Sequence, residues 1–394
     1  MALLGLSFKD LSTVLNSIVK QATGQNAQAV VDTSSFISVA QTALLSNYDT
    51  LATAISQVLS KTIFSLRPYE RKFGGLEVSN IEYGNHVRKL SAIDKDWEQD
   101  QRFELTDGAS IDQYVVNKPK VLQTNFYGAN VYEKSMTVYK DQLDQAFTGP
   151  DQFQSFLAMM MQNAGDMIEQ AHEQTARMTV ANLMGGVIDL ANPVQIRHLV
   201  TEYNAYLGLS GDSELNLNGL RAADQYPTFI RWVMAQIKSQ SSLLTERSII
   251  YHQNFTGYNV SRHTPVRDQK LYMYNDDRYS IETQVMSTTF NSEFLNIIDF
   301  ETVNYWQSLQ TRDKLNITPS YTSSTGTAQT GAEVTTDNIF AVLFDREAAG
   351  YTVVNEWSQP TPFNARGGYY NQFWHFTDRY WNDFTENCVV FLMD

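Results

Sequence analysis

Two adjacent acids, Asp276 and Asp277, are the residues whose type and spacing come nearest to catalytic chemistry. A glycosidase needs two carboxyl groups that face each other across a cleft, often beside aromatic platforms for the sugar rings. Three tryptophans near the C-terminus, Trp357, Trp374 and Trp381, are candidate platforms. Because a chain with 43 acidic residues contains many such pairs by chance, a carbohydrate-active or carbohydrate-binding protein is kept only as the alternative function.

The histidines form no recognisable metal-binding pattern. The segment Ala171-His-Glu-Gln174 is similar to the start of a zinc-binding helix, but Ala176 stands where the second histidine belongs. Each histidine is therefore predicted to be a hydrogen-bonded or surface residue. The six are His86, His172, His198, His252, His263 and His375.

The remaining motifs also predict that the protein is not an enzyme. Cys388 lies in an apolar run, where burial would raise the pKa of its thiol and make it a poor nucleophile. The sequence contains no phosphate-binding loop, no dinucleotide-binding fingerprint and no nucleophile elbow, since Gly208-Leu-Ser-Gly211 has the wrong spacing. We predict no catalytic, cofactor-binding or metal site, and no cofactor.

The composition sets the class of protein. A chain of 394 residues with 43% hydrophobic content predicts two or three domains with a substantial core and excludes a disordered chain. The formal charge of −14 argues against a sequence-reading DNA-binding protein and against anionic membranes. One cysteine excludes an internal disulfide framework. The first eight residues lack a basic start, and no apolar run is long enough to span a membrane, which predicts a soluble protein made in a cytoplasm.

The N-terminal sixty residues contain two amphipathic helical patterns, 11–19 and 44–59. Residues 21–35, which lie between these two patterns, are polar and predict a mobile tether. An amphipathic segment without its own core packs either on its own domain or on a neighbouring subunit, and both alternatives stay open.

Residues 67–140 alternate between apolar and polar side chains, which predicts strands. Asp107-Gly108 is a hairpin-turn signal in this segment. Eleven basic and eleven acidic residues make the segment neutral, so the whole charge of −14 lies elsewhere. We predict a long β-ribbon that either folds back on its own domain or lies across a partner.

A long helix is predicted over 150–184, with Pro150 in its first turn and Gly185-Gly186 as its end. A hinge at the two glycines is the alternative to a simple helix stop. The segment 187–338 predicts a mixed domain with a helix near 229–237, strands at 248–251, 271–274 and 295–298, and an exposed Thr/Ser-rich loop at 318–336. Continuous apolar runs at 339–344 and 388–393 predict buried strands, with a third strand at 369–376.

This order of elements resembles that of tailed-phage capsid proteins. Phe344-Asp-Arg-Glu-Ala348, followed by Tyr351-Thr-Val-Val354, resembles the strand, acidic turn and strand that re-enter their peripheral domain. Asn364-Ala-Arg-Gly-Gly-Tyr-Tyr-Asn-Gln-Phe-Trp-His375 is similar to the Asn-Pro-Arg-Gly and aromatic segment of major capsid proteins from small short-tailed phages, with Ala365 in place of the proline.

The resemblance implies an α+β, HK97-like capsid fold of a podovirus, Picovirinae-like. It implies an N-terminal arm (1–66), an extended β-ribbon loop (67–140), a peripheral domain with a long spine helix (141–186 and 339–394) and an axial domain (187–338). The implied function is a major capsid protein that self-assembles as hexamers and pentamers into an icosahedral shell around double-stranded DNA.

The same resemblance implies the partners and the location. Portal and scaffolding proteins are the expected partners, with non-specific contact to packaged DNA and no membrane. The expected location is the virion capsid, after synthesis in the bacterial host cytoplasm. Another phage structural or adhesin component is a further alternative.

Overall fold

Eight α-helices and fourteen β-strands form in the part of the chain that the structure, a computed structural model, describes. The described residues are 8–24, 32–44, 48–65, 71–78, 87–93, 100–114, 116, 118, 120–222, 225–275 and 300–394. The helices are α1 (Phe8–Thr23), α2 (Thr33–Leu44), α3 (Tyr48–Ser65), α4 (Lys140–Ala146), α5 (Pro150–Asp189), α6 (Leu199–Leu207), α7 (Leu217–Ala222) and α8 (Tyr226–Thr245).

The strands are short, apart from β3, β12 and β13. They are β1 (Val87–Ile93), β2 (Lys120–Phe126), β3 (Ala129–Tyr139), β4 (Ile196–His198), β5 (Gln269–Tyr274), β6 (Phe300–Val303), β7 (Leu315–Ile317), β8 (Ser320–Thr322), β9 (Ala328–Thr330), β10 (Val334–Thr336), β11 (Ile339–Asp345), β12 (Ala349–Pro360), β13 (Tyr369–Asn382) and β14 (Cys388–Leu392).

The chain divides into two compact units. Unit 1 comprises Met1–Gly84, Ala129–Thr175 and Thr352–Arg379, and unit 2 comprises Asn85–Gly128, Ala176–Tyr351 and Tyr380–Asp394. These bounds differ from the predicted domains, because pairing between distant strands, and not position along the chain, decides which segments pack together.

Unit 1 is built on a three-stranded sheet in the order β12-β13-β3. Its antiparallel register runs from Tyr369 opposite Tyr139 to Arg379 opposite Ala129. The inner face packs against the first part of α5 and against α1 to α3, and one hydrophobic core joins them. Fully buried members of this core from α1, α2, α3 and α5 are Leu15, Phe36, Leu51 and Phe153. The described helices of the predicted arm therefore pack on their own unit.

Unit 2 is built on a five-stranded sheet in the order β4-β14-β11-β5-β6. Strand β11 pairs antiparallel with both β14 and β5, so it lies at the centre, and all seven of its residues are buried. Helices α6, α7 and α8 contribute to the core beside this sheet. The predicted peripheral domain, 141–186 with 339–394, is not one compact unit, because β11 and β14 pair with strands of 187–338.

Helix α5 is 40 residues long and continues through Gly185 and Gly186, so the predicted end at these glycines is wrong. The glycines are needed for close packing. A Cβ on Gly185 would lie 2.6 Å from Cγ2 of Ile317, and a Cβ on Gly186 would lie 2.5 Å from Cζ of Phe384. The helix ends beyond them, where Ala191 takes a left-handed φ of 48°.

The predicted Thr/Ser-rich loop at 318–336 contains the antiparallel pair of β8 with β9, and its last strand, β10, pairs antiparallel with β7, which precedes the loop. The segment 248–251 has a single isolated bridge at Ser248 in place of the predicted strand. The two ends of the predicted tether at 21–35 lie in α1 and α2, and its middle, 25–31, lies outside the described residues, as does the predicted strand at 295–298.

The segment that carries the resemblance is the turn between β12 and β13. The Oδ1 of Asn364 accepts hydrogen bonds from the amides of Arg366 (3.1 Å) and Gly367 (2.9 Å). Gly368 has a φ of +65°, a conformation that glycine adopts without steric cost. Asn364 and Gly368 therefore set the direction in which β13 begins.

Candidate functional site

The predicted carbohydrate platform does not form around the tryptophans. Trp374 is buried in the core of unit 1, and Trp357 stacks on the ring of His375 with centroids 4.0 Å apart. In unit 2, Trp381 packs against Gly350. Asp276 and Asp277 lie outside the described residues.

His172 is fully buried in unit 1 between two carboxyl groups. Its Nδ1 lies 2.9 Å from Oδ2 of Asp378, and its Nε2 lies 3.1 Å from Oε1 of Glu356. Burial alone lowers the pKa of His172, but the hydrogen bonds and charges of the two acids outweigh it and raise the pKa to about 9. A protonated imidazole therefore joins α5 to β12 and β13.

This geometry predicts a loss of stability at alkaline pH. The folded protein favours protonated His172, so its stabilisation is complete below the ordinary pKa of 6.5 and is lost as the pH rises through about 9. Between pH 7 and pH 9 the free energy of unfolding of unassembled subunits should fall by about 2 kcal/mol. Urea unfolding across this range measures the fall. It should persist in His198→Gln, and a flat profile in the unmodified protein would contradict the assignment.

The other histidines have structural or surface positions. The ring of His252 is buried between Oδ1 of Asn387 (3.1 Å) and the carbonyl of Val260 (2.6 Å), and burial lowers its pKa. His198 lies 2.7 Å from Oδ1 of Asp394. His263 is exposed, and His86 lies outside the described residues.

Cys388 is buried in β14, and burial raises the pKa of its thiol, as its apolar neighbours predict. A cavity of about 450 Å³ in unit 2 is lined mainly by amide and hydroxyl groups, together with Leu190 and His252, and has no acidic residue among its described lining residues. Within the described residues, no three His, Cys, Asp or Glu side chains are grouped as metal ligands. No described helix combines the length and the apolar character that a membrane span requires.

Among the described residues of unit 2, the three apolar side chains with the highest exposed fractions lie on the β-ribbon, defined here as residues 87–126. Strands β1 and β2 pair antiparallel, from Val87 opposite Phe126 to Ile93 opposite Lys120. Beyond them, the ribbon tip (100–118) contains a turn at Asp107-Gly108, where the amide of Ala109 donates to the carbonyl of Thr106. A turn therefore forms at the predicted position, but the described residues on either side of it are not paired as strands, so they do not form the predicted hairpin.

The ribbon tip exposes side chains that a soluble subunit normally buries. Phe103 is 84% exposed, Tyr114 81% and Val116 78%. Leu105 and Ile111 add further exposed apolar surface. Five exposed apolar side chains within one short segment are the composition expected of a contact surface.

The root of the ribbon is held in unit 2 by an ion cluster. The Nζ of Lys89 lies 2.9 Å from Oδ2 of Asp383 and 3.1 Å from Oε2 of Glu347, and it also contacts Glu386. Burial alone lowers the pKa of Lys89, but the charges of Asp383 and Glu386 raise it above its ordinary value. Burial raises the pKa of Glu386 to about 7, against the opposing charges of Lys89 and Arg262.

A second polar anchor lies in unit 1, on the segment that precedes the ribbon. The Nε of Arg71 lies 2.7 Å from Oε2 of Glu169 on α5. The backbone amides of Lys72 and Phe73 donate to Oε2 of Glu173, at 2.8 and 3.2 Å. Neither anchor is apparent from the sequence, because the partners in each are about 100 to 300 residues apart.

Comparisons with known proteins show which family this chain belongs to. The sequence profile described as "Phi29-like phage major capsid protein" matches residues 6–392. The chain belongs to this family. The role of the capsid protein is therefore structural and not enzymatic: it builds the icosahedral shell of a phage head, and it is a component of the virion capsid.

Solved structures show the same HK97-like α+β fold. A chain in a capsid structure of Staphylococcus phage Andhra matches with a TM-score of 0.54 and 11% identity, over 82% of this chain and 84% of that chain. A chain in a structure of the head fiber and inner core protein gp22 of native bacteriophage P68 gives a TM-score of 0.50 and 12% identity, over 82% and 85%. A search of curated proteins finds no match. Nothing in these comparisons supports the carbohydrate alternative.

Proposed function

We propose that the capsid protein forms the head of a small short-tailed phage, podovirus and Picovirinae-like, as hexamers and pentamers around double-stranded DNA. The Phi29-like family and the Asn364–His375 segment support this subtype. Portal and scaffolding proteins are the proposed partners, and the bacterial cytoplasm is the proposed place of synthesis.

The ribbon is proposed as the arm with which one subunit reaches a second copy. The observation that carries this proposal is the exposed apolar surface of the tip, above all Phe103 and Tyr114. Burying a large apolar side chain contributes about 1.5–3 kcal/mol, so the same contact repeated over many subunits stabilises a closed shell.

We assign the roles of the two units on the same basis. Unit 1, with the first part of α5 and the three-stranded sheet, is proposed as the peripheral domain. Unit 2, with the five-stranded sheet, is proposed as the axial domain, and the ribbon extends from it as the loop. The net charge of −14 favours only weak, non-specific contact with packaged DNA, which allows the DNA to move during filling.

Polar substitution of the ribbon tip tests the proposed arm. In the double variant Phe103→Ser/Tyr114→Ser, both side chains are exposed in the subunit, so we expect its thermal unfolding to be unchanged. The yield of closed shells, counted by electron microscopy and light scattering, should fall at least about tenfold because each lost contact recurs at every interface.

The matched control is Gln113→Ser, which introduces serine at an exposed polar position of the same tip. This variant should assemble as the unmodified protein does. A double variant that forms closed shells at the normal yield would overturn the role of the tip in assembly.

A further inference from the structure

The buried face of strand β1 carries polar side chains, whereas the buried face of a strand is usually apolar. Lys89 and Ser91 point towards the rest of unit 2, and Lys89 is only 18% exposed at its side chain. Leu90, between them, points outward and is 61% exposed. Burying the ammonium group of a lysine costs free energy unless negatively charged groups pair with it, so Lys89 requires carboxylate partners.

That partner is assembled from two turns that are distant in sequence. Glu347 follows β11, whereas Asp383 and Glu386 follow β13. All three carboxyl groups contact the ammonium group of Lys89. A single cation on β1 therefore joins the ribbon to both turns.

Arg262 fixes the next inward residue of the same strand. Its Nη2 donates to Oγ of Ser91 at 2.9 Å, and its Nε donates to the carbonyl of Thr385 at 3.1 Å. The same Nε lies 3.1 Å from Oε1 of Glu386. Lys89 and Ser91 are thus held through one connected cluster.

Backbone pairing does not provide a substitute for these contacts. Among the described residues, β1 and β2 form a two-stranded sheet of their own. An isolated two-stranded ribbon is only marginally stable in water and has no third strand to fix its direction. The direction of the ribbon therefore depends on side chains at its root.

We propose that Lys89 is the positioning residue of the ribbon: its ion pairs with Asp383, Glu386 and Glu347 fix the direction in which the ribbon leaves unit 2. They thereby fix where the tip meets a second copy of the chain, and so the curvature of the shell. This inference rests on the proposed role of the ribbon as the assembly arm.

The direct test measures ribbon direction in unassembled subunits. Spin labels are attached to cysteines introduced by Asp107→Cys at the tip and Leu309→Cys on the exposed surface of unit 2, while buried Cys388 stays unlabelled. In Lys89→Met the distribution of label distances should become at least about twice as wide. Arg88→Met, which removes the adjacent outward cation, should leave it unchanged, and Lys89→Arg should restore most of the narrow distribution.

In assembly experiments, the measured quantity is the uniformity of particle shape and diameter. Lys89→Met should convert closed shells of one diameter into open sheets, tubes or shells of several diameters, whereas Arg88→Met should form uniform shells. If Lys89→Met does not fold, Lys89→Met/Asp383→Asn/Glu386→Gln removes the facing charges as well, and its particles should also be irregular.

The two proposals fail in different ways. Normal shells from Phe103→Ser/Tyr114→Ser would refute the ribbon as the assembly arm. If that variant fails to assemble but Lys89→Met keeps a narrow distance distribution and uniform shells, the positioning role of Lys89 is refuted and the arm stands.

Discussion

Replacing His172 with leucine should lower the free energy of unfolding of the subunit by about 4 kcal/mol, one of the two largest effects that we expect from a single substitution in this capsid protein. Leucine has a similar volume but removes the cation between Asp378, which is fully buried, and Glu356. The buried negative charge of Asp378 then loses the cation that faces it. Oδ1 of Asp378 already lacks a hydrogen-bond partner among the described residues, so this acid has little other support.

Urea unfolding of unassembled subunits, followed by far-UV circular dichroism, measures the change. The second variant, His172→Leu/Asp378→Asn, removes the buried negative charge as well and should recover more than half of the loss. His198→Leu removes an exposed histidine and should cost under about 0.5 kcal/mol. A loss below about 1 kcal/mol in His172→Leu would show that the imidazole does not compensate these acids.

Elements with strong local signals were predictable from the sequence. The apolar runs at 339–344 and 388–393 correspond to β11 and β14, because strands buried on both faces need continuous hydrophobic residues. The start of α5 at Pro150 was predictable for a similar reason, since a proline fits the first turn of a helix. Helix α2 was not predicted, because its first three residues, Thr33 to Ser35, belong to the polar stretch that predicts a tether.

The assignment of strands to sheets was not predictable in the same way. The apolar patterns of β11 and β14 predict that both strands are buried, but they do not indicate with which strands each one pairs. Their pairing with β5 and β4 places them in unit 2. The burial of Lys89 was also not predictable. Alternation along a strand indicates two faces, but the polar face is expected to be exposed, and in β1 it is the buried one.

The candidate site shows the same limit. The non-enzymatic role was predictable from residue types, and the alternation of apolar and polar residues in 67–140 pointed to a ribbon. The cluster that holds the ribbon joins residues whose positions differ by 297, Lys89 and Glu386. Only the folded chain brings such groups together, so no spacing rule detects them.

Replacing Gly186 with valine should lower the free energy of unfolding by about 3 kcal/mol. The glycine lies inside α5, where a larger residue would ordinarily improve helix propensity. Here a Cβ would lie 2.5 Å from Cζ of Phe384, whose ring is buried, and the branched side chain of valine would add two further methyl groups. The steric cost therefore exceeds the gain in propensity. Urea unfolding of unassembled subunits measures the difference.

Gln174→Val is the matched control, because it places the same β-branched residue on an exposed position of the same helix and should cost under about 1 kcal/mol. Gly186→Ala should fall between the two, since one methyl group meets the ring but improves helix propensity. If Gly186→Val is as stable as Gln174→Val, Phe384 moves aside at little cost and close packing does not explain the glycine. A hinge at Gly185-Gly186 would then regain support, because it needs the flexibility of glycine and not the space.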